Sequence, residues 1–192
     1  EVSLGQAIHS KGVMILSGFL GNRYAQKFPL AISAHIAMEQ SYGYIDGDSA
    51  SLGELVCLIS ALIQTPIDQS FAITGSVNQY GEVQAIGGVN EKIEGFFRLC
   101  SARGLTGKQG VIIPYSNRRN LILNDEVVAA VEAGKFAIHC VKHVDQAIEI
   151  LMHREAGEVN KDGGFPQGTV NGEIIGRLEA IAKMSDKKSD ND

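Results

Sequence analysis

The sequence contains little cysteine, no tryptophan and no long apolar run. An odd number of cysteines within apolar stretches does not indicate a disulfide framework and is typical of reduced thiols in a cytoplasmic core. No stretch reaches the roughly 18 apolar residues of a membrane span, and no charged-then-apolar leader is present. We therefore expect a cytoplasmic segment with neither a membrane helix nor disulfides. Its cysteines are Cys57, Cys100 and Cys140.

Positive charge is also scarce: the sequence has 17 lysines and arginines and 22 aspartates and glutamates, which gives a formal net charge of -5. The basic residues are scattered, so no nucleic-acid-binding surface is expected. The sequence lacks the Gly-x-x-x-x-Gly-Lys-Ser/Thr loop that cradles nucleotide phosphates. His35 has no partner at metal-ligand spacing, and His139 with His143 lacks the glutamate of a zinc protease motif. Neither a cofactor nor a metal is predicted in this segment.

A length of 192 residues with 44% hydrophobic content suffices for one domain with a substantial core. We predict that this domain spans residues 1–184 and that the charged, polar residues 185–192 form a disordered tail. The chain begins at Glu1 rather than at methionine, which indicates a fragment of a longer protein.

Strand-like and helix-like segments alternate along the chain, which predicts an α/β (α+β) layered domain. Residues 12–20 are apolar at odd and even positions, as in a central strand, and a predicted hairpin makes the sheet mixed. The predicted strands are 12–20, 70–76, 82–86, 110–115 and 136–141. The predicted helices are 29–39, 52–63, a segment from Asn90 onward, 125–133, 144–152 and 172–184.

The residues from Asp46 to Ser51 are small, acidic or hydroxylic, and the apolar spacing of a buried helix begins directly after them. Ser49 therefore lies where a loop enters a helix. Free backbone N–H groups and the positive end of the helix dipole suit a developing oxyanion there. The alternative is structural: Asp48 or Ser49 is the N-cap, and Ser51 forms a capping box with Glu54.

A second polar stretch contains Thr74 and ends at Lys92, which lies 43 residues after Ser49 in the first turn of a predicted helix. A cation there faces the unfavourable end of the helix dipole, so the lysine is not placed for the stability of the helix. The alternative to a functional role is a solvated lysine on the surface. A serine hydroxyl is a poor nucleophile and needs a base within hydrogen-bond reach. None of the five histidines lies in a suitable motif, whereas a lysine can be the base when desolvation lowers its pKa.

Together the two stretches resemble the proteolytic domain of Lon proteases, and the likeness covers most of residues 12–152. The form with Asp48 directly before the serine is similar to the B-type branch of that family. The resemblance implies the Lon proteolytic domain fold, which is ribosomal protein S5 domain 2-like. The motifs that carry it are Asp46-Gly47-Asp48-Ser49-Ala50, Thr74-Gly75, and Gly87-Gly88 followed by Glu91-Lys92.

The resemblance also implies roles for individual residues. Ser49 would be the nucleophile and Lys92 the general base, with Thr74 hydrogen-bonding near the lysine. Asp46 would engage the lysine, and because a tight ion pair would raise the lysine pKa, such a pair would mark a self-inhibited state. The remaining supporting residues of the loop are Gly47, Asp48 and Ala50.

The activity implied by the resemblance is ATP-dependent serine endopeptidase action on unfolded polypeptides. The resemblance further implies an upstream AAA+ module that binds ATP and Mg, and a hexameric ring in the intact protein. The competing possibility is a non-catalytic Lon-fold module for ring assembly or partner binding. Such relatives lack the Ser/Lys pair, which this chain retains.

Overall fold

The computed structural model describes residues 7–39, 43 and 46–189, in which helices and strands form the predicted α/β class. A 3-10 helix, Tyr115–Asn120, follows the fourth strand. The helices are α1 Ala7–Tyr24, α2 Ser51–Ile63, α3 Val89–Arg103, α4 Asp125–Glu132, α5 Val144–Met152 and α6 Val170–Ser189. The strands are β1 Phe71–Ile73, β2 Ser76–Val77, β3 Val83–Gln84, β4 Gly110–Pro114 and β5 Ala137–Val141.

The strands divide into two sheets. β1, β4 and β5 form a parallel sheet in that order, with Ile73 paired to Ile112, whereas β2 and β3 form an antiparallel hairpin. The predicted strand 70–76 is therefore interrupted at Thr74 and Gly75, where the chain leaves one sheet and enters the other. The hairpin and the parallel strands occupy separate sheets rather than one mixed sheet.

β4 is the central strand of the parallel sheet, and all of its residues are buried. Ile112 packs into an apolar cluster with α1, α2, α5 and α6, whereas Val111 and Ile113 pack into a second cluster with α3 and α4. Because neighbouring strand residues point to opposite faces, helices cover the sheet on both sides. α2, which follows Ser49, and α3, which contains Lys92, thus lie on opposite faces of the sheet.

Residues 12–20 are helical and lie within α1, so the predicted central strand is wrong. Leu16, Phe19 and Leu20 are buried at helical spacing, but Val13 and Met14 are apolar and exposed. These exposed apolar residues hide the helical stripe in the sequence. A short run that is apolar at every position does not distinguish a buried strand from a helix.

Residues 29–39 form neither helix nor strand, so the helix predicted there is also wrong. Ala31 N donates to Pro29 O over 2.9 Å, which closes a turn too tight for an α-helix. His35 is exposed. Apolar residues occupy every second position from Leu30 to Met38, and Ala31 and Ala37 are apolar as well, so the pattern fits extended chain as readily as a helix.

α6 continues through Ser189, into the segment for which a tail is predicted, and residues 190–192 lie outside the described part of the chain. An ion pair between Lys183 Nζ and Glu179 Oε1, at 2.8 Å and one helical turn apart, lies on its exposed surface. Among the helices that the structure describes, none is long and apolar enough to cross a membrane.

Candidate active site

Ser49 and Lys92 meet at the carboxyl end of β1. The ammonium group of Lys92 donates a hydrogen bond to Ser49 Oγ over 2.9 Å. Ser49 belongs to the loop that enters α2, and Lys92 lies in the first turn of α3. The fold thus brings the hydroxyl of the loop before α2 into direct contact with the amine of α3, although the two helices cover opposite faces of the sheet.

Thr74 links the lysine to the serine loop. Its hydroxyl donates to Ser49 O over 3.1 Å and accepts from Lys92 Nζ over 3.4 Å. The residue is buried, and its amide donates to Ile112 O across the parallel sheet. Because the only hydroxyl proton is used by the serine carbonyl, Thr74 presents a lone pair to the lysine and holds Nζ beside Ser49 Oγ.

Gly47 and Ala50 shape the loop on either side of the serine. Gly47 has a φ of 88°, in the left-handed region that glycine adopts without steric strain. Ala50 is the N-cap of α2, and no side chain caps this helix end. The interpretation of Asp48 or Ser49 as a capping residue is therefore wrong.

Asp46 is exposed, and within the described residues it forms no ion pair with Lys92. The lysine instead contacts the hydroxyl groups of Ser49 and Thr74. The arrangement is therefore not the self-inhibited state that an ion pair between Asp46 and Lys92 would mark.

Ser51 is the other hydroxyl at the start of α2, and its surroundings argue against a role as nucleophile. The residue is 1% exposed, and its Oγ accepts a hydrogen bond from Val77 N over 3.0 Å. Because Ser51 lies inside the helix and Ala50 is the N-cap, the predicted capping box with Glu54 is wrong.

The backbone N–H groups near Ser49 differ in their availability. Ser51 N donates to Asp48 O and Leu52 N donates to Gly75 O, so these two donors of α2 are used within the fold. The amides of Ser49 and Ala50 have no acceptor among the residues that the structure describes. These two donors remain for an oxyanion beside the serine, at the positive end of the helix dipole.

Burial lowers the pKa of the Lys92 amine below its ordinary value of 10.5. The side chain as a whole remains exposed, so the desolvation is partial. Its hydrogen-bond partners are neutral hydroxyls, which do not favour the ammonium form as a carboxylate would. The site therefore shifts the lysine toward the neutral form that can accept a proton.

A cleft of about 240 Å³ opens in front of this pair. Its apolar wall consists of Ala72 and Ile73 from β1 and Val111 from β4. Sequence reasoning did not identify these residues, because nothing distinguishes them from other strand residues. Only the parallel register, which pairs Ala72 with Val111, places them beside the serine.

Comparison with known proteins identifies the family of the chain. Residues 8–154, well over half of the chain, match the Lon protease C-terminal proteolytic domain. The chain belongs to the Lon protease family. The matched range contains the serine loop, Thr74 and Lys92, so the Lon domain encloses the whole candidate site.

Bacterial and archaeal Lon relatives align with different parts of the chain. A Lon protease homolog of Escherichia coli is 52% identical over 153 residues, which cover 80% of this chain and 26% of the relative. A Lon protease homolog of Haemophilus influenzae is 47% identical over 182 residues, which cover 95% of this chain and 30% of the relative. An archaeal Lon protease of Methanocaldococcus jannaschii is 39% identical over 118 residues, 62% of this chain and 16% of the relative. The chain thus spans less than a third of the length of these Lon proteins.

Proposed function

We propose that this chain is the proteolytic domain of an ATP-dependent Lon-type serine endopeptidase, with Ser49 as the nucleophile and Lys92 as the general base. The observation that carries the proposal is the 2.9 Å contact between Lys92 Nζ and Ser49 Oγ, with Thr74 holding the amine in place. Membership of the family, whose members are named Lon proteases, supports a peptidase function.

The proposed reaction begins with the neutral amine of Lys92. It takes the hydroxyl proton of Ser49 while Oγ attacks the carbonyl carbon of the peptide bond, which forms a tetrahedral oxyanion. The amides of Ser49 and Ala50 are the donors for this oxyanion. The C–N bond then breaks, the lysine ammonium gives its proton to the leaving amine, and an acyl ester remains on the serine.

Water completes the proposed cycle. Lys92, neutral again, takes a proton from a water molecule whose oxygen attacks the ester carbonyl. When the second tetrahedral intermediate collapses, the bond to Ser49 Oγ breaks and the lysine returns the proton to the serine. The peptide leaves as a carboxylic acid, which gives its proton to solvent, and the serine and the amine regain their starting forms.

The shape of the cleft supports an extended polypeptide as the substrate. β1 is at the edge of the parallel sheet, so one side of this strand has no strand partner within the described residues. An extended peptide can pair with such an edge through backbone hydrogen bonds. We therefore propose unfolded or damaged proteins as substrates, with small apolar side chains against Ala72, Ile73 and Val111.

ATP dependence and assembly concern the intact protein, because this chain spans less than a third of the length of its bacterial relatives. We propose that an AAA+ module upstream binds ATP and Mg and unfolds the substrate, and that the intact protein forms a hexameric ring in the cytoplasm. The free thiols of the three cysteines agree with a reducing compartment.

The 192-residue chain should cleave short peptides or a loosely folded protein such as casein and should leave a compact folded protein intact. Addition of ATP should change neither result, because the segment lacks a phosphate-binding loop. Electrophoresis of both substrates over time, with and without ATP and Mg, measures this. ATP-stimulated degradation of the folded substrate by this chain alone would contradict the proposed division of labour.

The competing function is a non-catalytic Lon-fold module, and labelling with a fluorophosphonate distinguishes it from a peptidase. The probe should modify Ser49 in the folded chain, as peptide mass spectrometry would show, and Lys92→Met should prevent the labelling. Lys183→Met, which removes an exposed lysine of α6, is the matched control and should label like the parent. A folded parent chain in which Ser49 stays unmodified would favour the non-catalytic module.

A further inference from the structure

Residues 74–77 hold the serine loop through successive hydrogen bonds, which we call the loop-hairpin seam. Near its start, Gly75 N donates to Ser49 O over 2.8 Å. At its other end, Val77 N donates to Ser51 Oγ over 3.0 Å. The conformation of the loop around the proposed nucleophile therefore depends on the segment that connects β1 to the hairpin.

One contact of this seam holds a charged side chain. Ser76, which is 5% exposed on β2, donates from its Oγ to Asp48 Oδ2 over 2.8 Å. The other side of Asp48 faces α1, since a Cβ atom added to Gly12 would lie 3.6 Å from the aspartate Cβ. The carboxylate is thus fixed against the hairpin, although no catalytic step uses it.

A carboxylate that moved to Lys92 would oppose base catalysis, because an opposite charge stabilises the ammonium form. Asp48 is adjacent to Ser49 in the chain, with a Cα separation of about 3.8 Å, and Ser49 Oγ already contacts Lys92. In the structure Asp48 forms no ion pair with Lys92 within the described residues, and Ser76 holds its carboxylate instead.

We propose that Ser76 is a positioning residue that acts through Asp48: its hydroxyl keeps the aspartate carboxylate on the hairpin and thereby leaves Lys92 to contact Ser49. The inference rests on the proposed Ser49 and Lys92 mechanism and deepens it. The seam then controls both the shape of the serine loop and the charge beside the base.

Other charged groups around the pair are not held by Ser76. Asp46 of the loop and Glu91 of α3 are exposed, and so is Lys11 of α1. Glu54 is buried in α2, one turn after the serine loop. The walls that β1 and β4 contribute to the cleft are apolar. A change in pH dependence on removal of the Ser76 hydroxyl therefore reports the carboxylate that this hydroxyl holds.

The test is the pH profile of kcat/KM for a short peptide. Ser76→Ala should move the acidic limb to higher pH by about one unit, which is about a tenfold loss of activity on that limb. Ser76→Thr keeps the hydroxyl and should keep the parental profile. Adding Asp48→Asn to Ser76→Ala should move the limb back. A Ser76→Ala profile equal to the parent's, or a shift that Asp48→Asn leaves in place, would overturn the proposal.

Ser51→Ala is the matched control, because it removes another buried hydroxyl of the seam without freeing a carboxylate. It should lower the melting temperature but leave the acidic limb in place; a shift equal to that of Ser76→Ala would overturn the role of Asp48. If Ser76→Ala does not fold, Ser76→Cys, a weaker donor of similar size, should give the same upward shift. A folded parent without Ser49-dependent hydrolysis would refute the proposed function itself, whereas an active parent with an unshifted variant refutes only the positioning role.

Discussion

Ser49→Ala should lower the rate of peptide hydrolysis by at least about a thousandfold, because it removes the proposed nucleophile. The lost hydroxyl is the one that contacts Lys92 Nζ at 2.9 Å. Initial rates on a fluorogenic peptide, measured for parent and variant at equal protein concentration, give the ratio. A parental rate in the variant would remove Ser49 from the mechanism.

The same substitution should leave the stability of the domain nearly unchanged. Thr74 Oγ1 and Gly75 N fix the loop by donating hydrogen bonds to the backbone oxygen of Ser49, which alanine retains. Far-UV circular dichroism and the thermal midpoint of the variant should therefore match those of the parent. An inactive variant with a parental midpoint assigns a chemical rather than a structural role to the hydroxyl.

Ser51→Ala is again the appropriate comparison, because Ser51 is the second hydroxyl near the start of α2. Its loss leaves the buried amide of Val77 without an acceptor and should cost about 1–3 kcal/mol of unfolding free energy. Most of the peptidase activity should remain where the variant is folded. An active Ser49→Ala enzyme together with an inactive, folded Ser51→Ala enzyme would transfer the nucleophile to Ser51.

Helices with one apolar face could be predicted from the sequence, because their burial is periodic. The bounds predicted for residues 144–152 are those of α5, whose buried positions recur at helical spacing. The strand predicted for residues 12–20 is wrong, because Val13 and Met14 on the exposed side of α1 are also apolar. The helix predicted for residues 29–39 is wrong although Pro29 is a favourable helix start and Leu30, Ala34 and Met38 lie at helical spacing. The same residues also fit the alternation of extended chain, so their pattern does not distinguish the two.

The residue types of the candidate site could be read from the sequence, but their contacts could not. The resemblance to Lon proteolytic domains points to Ser49, Thr74 and Lys92, and the structure brings these three together. Local rules treat every serine before a helix as a possible cap. The contrast between Ser49, which faces the lysine, and Ser51, which faces Val77 N, depends on how the hairpin docks on the loop. That docking is a tertiary feature without a local sequence signal.

Lys92→Arg should abolish activity even though it preserves the positive charge. Arginine does not give up its proton in a protein, so it cannot take the hydroxyl proton of Ser49. The expected loss is at least about a thousandfold, with little change in stability. Lys183→Arg, on the exposed surface of α6, should behave like the parent. An active Lys92→Arg enzyme would show that the lysine serves only as a cation.

The pH dependence of the parent should identify the same base. The mechanism requires the neutral amine, and burial lowers the pKa of Lys92 below 10.5. Below that lowered pKa the ammonium form dominates and activity is low; activity rises as the pH passes through it and levels off above it. kcat/KM for a short peptide, measured over the pH range in which circular dichroism shows a folded chain, tests this. A profile that follows a carboxylic acid near pH ~4 and is flat above it would leave Ser49 without its proposed base.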